Sequence, residues 1–550
     1  MRTGGKILVD QLVLEGCRAV YTVPGESFLA ALDAMFDVGT IRAIVCRHEG
    51  GAAMMAEAAG KLTGNPGVAF VTRAPGATNA SSGVYVAHHD ATPMVLLVGL
   101  IERGHEGRGA FQEIDLKAMF GGIANWVGIA REPERIAEML ATAFNAARSG
   151  RPGPAVLGLP EDILTAVVEA EDAGLPPSRL PAPSAADMTK LKAKLSDAER
   201  PLVLLGGAGW NEAAAANIEK FAETFEIPVA SAFRRQDHMD NRHPCYVGHA
   251  GIDMDAKLMA ALRGSDLLLV IGEGLSEITT GAYTHVKTPR PNQYLVHAHP
   301  SPEAIGRVFR ADLPIISAAE PFTRALARMK PPTKRRWNRL RKDLRASYER
   351  SLKPLATTGT VRMEEVVASI SRELPDDAII TNGAGNYASF VHRYFQYKQW
   401  PSQLAPTSGS MGYGLPAAIA AKIEFPDRPV IAFAGDGCLL MTGQELATAV
   451  QYGLPIIIIV ANNGMYGTIR MHQERRYPGR VVGTTLVNPD FVAFARSFGA
   501  HGERVDMTEA FLPAFRRALE ASGPVLIELR LDPEAISVKQ TLSQIRGDKD

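Results

Sequence analysis

Short runs of Val, Ile, Leu and Ala recur along the chain, each ending at glycine or a polar residue and followed by a stretch rich in small residues. Gly67–Thr72, Met94–Gly99, Pro201–Gly206, Asp266–Gly272, Val430–Gly435 and Pro455–Ala461 are of this kind. Nearly continuous apolar character over so short a length predicts strands buried on both faces. Their alternation with helical stretches predicts an α/β protein with parallel sheets built from right-handed crossover units.

Two stretches rich in Pro, Ala and charge interrupt this pattern. One is Ala173–Ala186, with Pro176, Pro177, Pro181 and Pro183; the other starts at Pro331 and Pro332 and continues through the basic run Lys334–Arg350. They predict three domains, over residues 1–172, 187–330 and 355–550, each of ordinary single-domain size. The basic run reads as a solvated connecting helix rather than a nucleic-acid patch, because 59 Lys and Arg balance 59 Asp and Glu over 550 residues. That neutral balance gives no electrostatic reason for a nucleic-acid or anionic-membrane partner. The apolar run Leu454–Ala461 is far shorter than the roughly 20 residues of a membrane span. Residues 1–16, with Arg2, Lys6 and Asp10, lack the apolar centre of a signal peptide. Cys17, Cys46, Cys245 and Cys438 form no C-x-x-C pair, so reduced thiols and a cytoplasmic location are expected.

The third block carries the most specific chemistry. Val430–Gly437 reads as a buried strand ending in Gly-Asp-Gly, and Asn462-Asn463 follow 24 residues later, after a helical stretch and a second strand. This βαβ unit puts Asp436 and Asn463 at the carboxyl ends of two parallel strands, where open α/β sheets bind ligands. A carboxylate, an amide oxygen and nearby carbonyls suit Mg²⁺ bridging to phosphate. Backbone N–H groups after Gly437 suit the phosphate oxygens.

With Asn-Asn at that spacing, the pattern resembles the thiamine diphosphate fingerprint of the decarboxylase and acetolactate synthase superfamily. Arg47-His48-Glu49-Gly50-Gly51-Ala52-Ala53 resembles its catalytic-glutamate segment. Val23-Pro24-Gly25, Pro75–Asn79, Asp90 with Pro93, Phe111-Gln112-Glu113 and Gly409–Pro416 match in the expected order. Acetolactate synthase is the nearest shape, and three parallel-sheet domains (pyrimidine-binding, central and diphosphate-binding) are what it implies.

The resemblance also implies roles. Glu49 would bond the pyrimidine N1′, the Gly409 carbonyl would receive the 4′-amino group, and Met411 would lie beneath the cofactor and keep it bent. Asp436, Asn463 and the backbone carbonyl of Met465 would hold Mg²⁺. Gly437, Cys438 and Asn386 would face the diphosphate, and Gln112 the thiazolium. Glu49 and the diphosphate site would come from different subunits, so a homodimer or homotetramer is implied. The implied reaction decarboxylates a 2-oxo acid and transfers the acyl carbanion to a carbonyl acceptor. A simple decarboxylase releasing an aldehyde and a CoA-linked lyase of the same family are the alternatives. The presence of Glu49 disfavours a non-catalytic binding protein.

Three departures from acetolactate synthase stand out. The first turn reads Pro24-Gly25-Glu26 where that family has Pro-Gly-Gly, so Glu26 is either a proton-transfer group or an exposed turn glutamate. His472 replaces a tryptophan, which either changes the substrate class or leaves a histidine in a mobile loop. Gly206–Gly209 and Gly272-Glu273-Gly274 stand where relatives hold FAD, but His297-Ala298-His299 replaces the acidic pattern beyond them. FAD is left open and not favoured. His88-His89 lie earlier than the paired histidines of pyruvate decarboxylases and carry no assignment. Loops over Thr468–Arg480 and the tail Ile536–Asp550 are expected to wall the substrate.

Overall fold

The computed structural model describes residues 1–174 and 180–547, so Pro176, Pro177 and the last three residues of the tail lie outside the described residues. Each apolar run noted above forms a strand, with ends shifted by at most two residues. The first sheet comprises β1 (Ala19–Thr22), β2 (Arg42–Val45), β3 (Gly67–Val71), β4 (Met94–Leu100), β5 (Trp126–Ile129) and β6 (Pro154–Pro160). Its order is β2-β1-β3-β4-β6-β5, and every pair is parallel.

The central sheet runs β7 (Pro201–Leu205), β8 (Val229–Ala232), β9 (Tyr246–Ala250), β10 (Leu267–Ile271), β11 (Tyr294–His299) and β12 (Leu313–Ile316). Its order, β9-β8-β7-β10-β11-β12, is that of a doubly wound dinucleotide-binding fold. The third sheet comprises β13 (Ile379–Asn382), β14 (Gln403–Leu404), β15 (Val430–Gly435), β16 (Ile457–Asn462), β17 (His501–Val505) and β18 (Val525–Arg530). Ordered β14-β13-β15-β16-β18-β17, it repeats the path of the first sheet.

Helix α1 (Glu49–Thr63) is rich in Gly, Ala and Met, which lets neighbouring backbones approach closely. A Cβ on Gly83 of α2 (Ala74–Asp90) would stand 2.4 Å from the Ala53 side chain. The opposite side of α1 meets the third domain, and its alanines join Ala417, Ala418 and Ala421 of α4 (Gly414–Glu424) in one continuous core. The first and third domains therefore share a hydrophobic interior.

The basic run forms α3 (Asn338–Ser351), but it is not solvated all round as expected from its charge. Trp337, Leu344 and Tyr348 are buried against the central domain. The arginines serve as donors to loop carbonyls: Arg345 reaches those of Asn241 and His243 at 2.9 Å, and Arg341 that of Pro244 at 3.0 Å. Long aliphatic stems and charged heads let one helix both pack and tie down a turn. Among the described residues, no helix is long and apolar enough to cross a membrane.

Candidate active site

In the third sheet the strand order reverses between the parallel β13 and β15, which opens a crevice at their carboxyl ends. Asp436 follows β15 directly and is buried. Its carboxylate accepts the N–H groups of Gly437 at 2.9 Å and Gly464 at 2.8 Å, and the Asn488 amide at 2.8 Å. No cation pairs with it among the described residues, and burial pushes its carboxyl above the usual carboxylate range. Asn463 lies just past β16, where its side-chain oxygen accepts the Met465 N–H at 3.3 Å. The Oδ1 atom of Asn488 is buried beside this cluster without a hydrogen-bond partner among the described residues.

Gly409 is in the left-handed region at φ 71°, and Met411 packs on the third-domain core. The Cys438 thiol accepts the Gly412 N–H at 3.2 Å and lies 3.3 Å from the Tyr387 hydroxyl. Cys438 thus braces the Met411 turn through its side chain. Asn386 is held in place by its amide, which donates to the Ile536 carbonyl and accepts from the Thr468 hydroxyl, each at 2.8 Å. Gly437 and Cys438 line the same side of the crevice, with the Gly437 N–H donating to Asp436.

His472 lies on α5 (Gly467–Arg476), so most of the expected specificity loop is helical. The helix is held from outside by α6 (Leu542–Arg546), where Arg546 binds the buried Glu474 carboxylate at 3.0 Å. Burial, then Arg475 and Arg476, push the His472 imidazole below its ordinary range. Asp436, Asn463, Met465, Met411, Gly409 and His472 all line one cavity of about 1880 Å³. That cavity continues to the strand ends of the central domain, where it meets Glu273, His299, Arg151 and both His88 and His89.

Glu49, Glu26 and Gln112 do not line it. They gather instead at the carboxyl ends of the first sheet. Glu49 opens α1, and Asn79 donates to its Oε2 at 2.9 Å. A Cβ on Gly76 would lie 3.4 Å from the other Glu49 oxygen, so glycine keeps this carboxylate uncovered. Glu26 follows β1 and projects outward, with its side chain 71% exposed, yet it is tethered to Arg73 at 3.0 Å. Arg73 follows β3, is only 12% exposed, and is fixed from behind by Glu161 at 2.6 Å. Gln112 takes a left-handed backbone, φ 63°, and its carbonyl accepts the Ala74 N–H at 3.2 Å.

Three segments match thiamine pyrophosphate enzymes: residues 2–119 the N-terminal TPP binding domain, 188–326 the central domain, and 383–529 the C-terminal TPP binding domain. The acetolactate synthase large subunit of Corynebacterium glutamicum is 31% identical over 97% of this chain and 87% of its own length. The chain belongs to the acetolactate synthase-like thiamine diphosphate enzymes. A probable acetolactate synthase large subunit of Methanocaldococcus jannaschii is 30% identical over 96% of the chain and 92% of that protein. Isozyme 1 of Escherichia coli is 28% identical over 97% and 94%.

The third-domain residues fit a small divalent cation. The Asp436 carboxylate, buried and without a counter-cation among the described residues, is a hard oxygen ligand of the kind Mg²⁺ takes, and Asn463 and Met465 line the same cavity. Motif reading missed several supports. Glu445 accepts the N–H groups of Arg47 and His48, the latter at 2.9 Å, and so fixes the start of α1 from the third domain. Arg73, Asn488 and Glu445 belong to none of the quoted motifs. They were findable only as polar residues at the ends of strands and turns.

Proposed function

We propose that this chain is a thiamine diphosphate- and Mg²⁺-dependent carboligase that decarboxylates a 2-oxo acid and joins the remaining acyl unit to a carbonyl acceptor. Each active site in this reading is shared by two chains of a homodimer, or of a homotetramer made of such dimers. The separation of the residues carries it: the cavity containing Asp436, Asn463 and Met411 lacks the Glu49, Glu26 and Gln112 of the same chain.

When bound, the cofactor supplies the nucleophilic carbon and the electron sink for decarboxylation. Asp436, Asn463 and the Met465 carbonyl would hold the Mg²⁺, while Met411 and Gly409 receive the organic part. Glu49, with one oxygen held by Asn79, would hold a proton at the pyrimidine N1′. Gln112 offers a neutral amide to an oxyanion. Glu26 would move a proton at the substrate carbonyl, and its Arg73 tether limits where that carboxylate can reach. His472 forms part of the substrate wall as a neutral imidazole, in keeping with its lowered pKa.

Flavin is left out of the reading. The turn after β10 presents the buried Glu273 carboxylate, and β11 ends at His299, pushed down to about 4 by burial and by His297. A neutral imidazole has a single acceptor nitrogen, and His299 Nδ1 already accepts the Ser301 N–H at 3.0 Å, so it lacks the free acceptor oxygens that an acidic side chain offers a ribose hydroxyl. An absorption spectrum of the purified protein tests this point.

The decisive test adds pyruvate to protein supplied with thiamine diphosphate and Mg²⁺, measures CO₂, and identifies the product by mass. A 2-hydroxy ketone is expected; a free aldehyde would favour simple decarboxylation, the reading that Glu26 supports. Sharing of the site is tested by mixing two inactive variants, Glu49→Gln and Asp436→Ala. After subunit exchange, half of the sites in each hybrid dimer regain both groups, so about one quarter of wild-type activity should return. No recovery on proven exchange would rule out sharing.

A further inference from the structure

Helix α1 begins with Glu49 and, about 18 Å along its axis, carries Lys61 near its end. The Lys61 ammonium pairs with Glu57 at 3.0 Å and with Asp90 more closely still. Both carboxylates are wholly buried, and both reach across to the third domain. Asp90 accepts the Thr407 N–H at 2.8 Å and the Thr407 hydroxyl. Glu57 accepts the Tyr413 hydroxyl, and the Lys61 Nζ lies 5.3 Å from the centre of the Tyr413 ring.

Thr407 and Tyr413 bracket Gly409 and Met411. One ammonium group therefore anchors both ends of the segment that receives the cofactor. Other contacts complete the cluster without replacing it: Thr92 donates to Glu57 at 2.6 Å, and Arg235 approaches Asp90 at 3.8 Å. Two buried carboxylates facing one cation are tolerable only while every oxygen is bonded. Without Lys61, the buried Glu57 would lose its cation and Asp90 would keep only the more distant Arg235, so the segment's register would loosen.

We propose that Lys61 is a positioning residue for the cofactor pocket of its own chain, while Glu49 on the same helix serves the pocket of the partner chain. The first half stands on the contacts just described; the second rests on the shared-site reading above. Helix α1 would then span from one active site to the other.

Calorimetric titration of the intact oligomer with thiamine diphosphate at saturating Mg²⁺ tests the first half. Lys61→Met should raise the Kd at least ~10-fold, and Lys61→Arg should bring it back to within ~3-fold of wild type. An unchanged Kd in folded Lys61→Met protein overturns the proposal. If that variant does not fold, Tyr413→Phe removes only the Glu57 tether and should still weaken binding by ~3-fold or more; no change there is equally fatal.

The hybrid described above separates the two halves. Its one working pocket belongs to the Glu49→Gln chain. Lys61→Met on that chain should raise the cofactor concentration for half-maximal activity at least ~10-fold; on the Asp436→Ala chain it should not. Equal effects from both placements mean general destabilisation and overturn the proposal. A hybrid without activity rejects the shared site instead, and leaves the calorimetric result to decide the role of Lys61.

Discussion

The first and third domains follow the same strand path, 2-1-3-4-6-5 within each sheet, yet their strand-end crevices are equipped in opposite ways. The third-domain crevice is internally braced. Asp436 is buried, its oxygens are fixed by two backbone N–H groups and an amide, and the turn around Met411 is held by Cys438. The first-domain crevice is open. Its counterpart groups, Glu26 and Glu49, are held at one side only and face outward. A rigid cradle suits a metal and a phosphate, whose geometry is fixed. Carboxylates that move protons need an uncovered face toward their partner. One fold can carry both kinds of crevice because they differ in the strand-end turns rather than in the sheet.

Substitution should break this contrast most clearly at the two acids themselves. Asp436→Ala is expected to lose cofactor-dependent turnover by ~10³-fold or more together with the Mg²⁺-dependent rise in melting temperature. Glu49→Gln should lose ~10²–10⁴-fold in turnover while retaining that rise. Loss of the metal response in both variants would mean that the crevices are not functionally distinct. A smaller effect is expected from Asn488→Ala, which removes a brace and an orphaned amide oxygen. Mg²⁺ affinity should fall ~10–100-fold with little change in kcat at saturating metal.

The smallest effect concerns the clamp between the domains. Burial alone would raise the Asp90 carboxyl, but Lys61 and Arg235, with hydrogen bonds from Lys61 and Thr407, hold it below the usual carboxylate range. A group whose folded pKa is depressed stabilises the fold above its unfolded pKa, and that contribution is lost as pH falls toward the folded value. Melting temperature should therefore change little through Asp90 between pH 7 and 5 and drop below about pH 4. In Asp90→Asn the midpoint should be lower at neutral pH and its acid decline shallower. An unaltered acid slope would show that Asp90 does not bind the domains in this way.

The elements and most motif residues were readable because they depend on local pattern. Asp436 and Asn463 announce themselves through a strand, a turn and a second strand within one βαβ unit. Lys61 and Glu57 look like ordinary helix residues, and the motif containing Asp90 gives no sign of its partner, since Tyr413 and Thr407 are 356 and 317 residues away from Glu57 and Asp90. The helix carrying His472 was hidden for a related reason. Gly467-Thr-Ile-Arg-Met-His-Gln has no apolar stripe, and α5 is held by an ion pair from the far end of the chain. Glu26 was visible as a departure from Pro-Gly-Gly, but its confinement by Arg73 depends on two crossover connections meeting at one crevice.

The common interior of the first and third domains also bears on how the protein is made. Helix α1 leaves the ribosome about 350 residues before the helix Gly414–Glu424 that covers its alanine face. At roughly 5–20 residues per second that is an interval of about 20–70 s. For all of that time the nascent first domain carries an uncovered apolar surface, and its need for protection is set by chain order rather than by final stability.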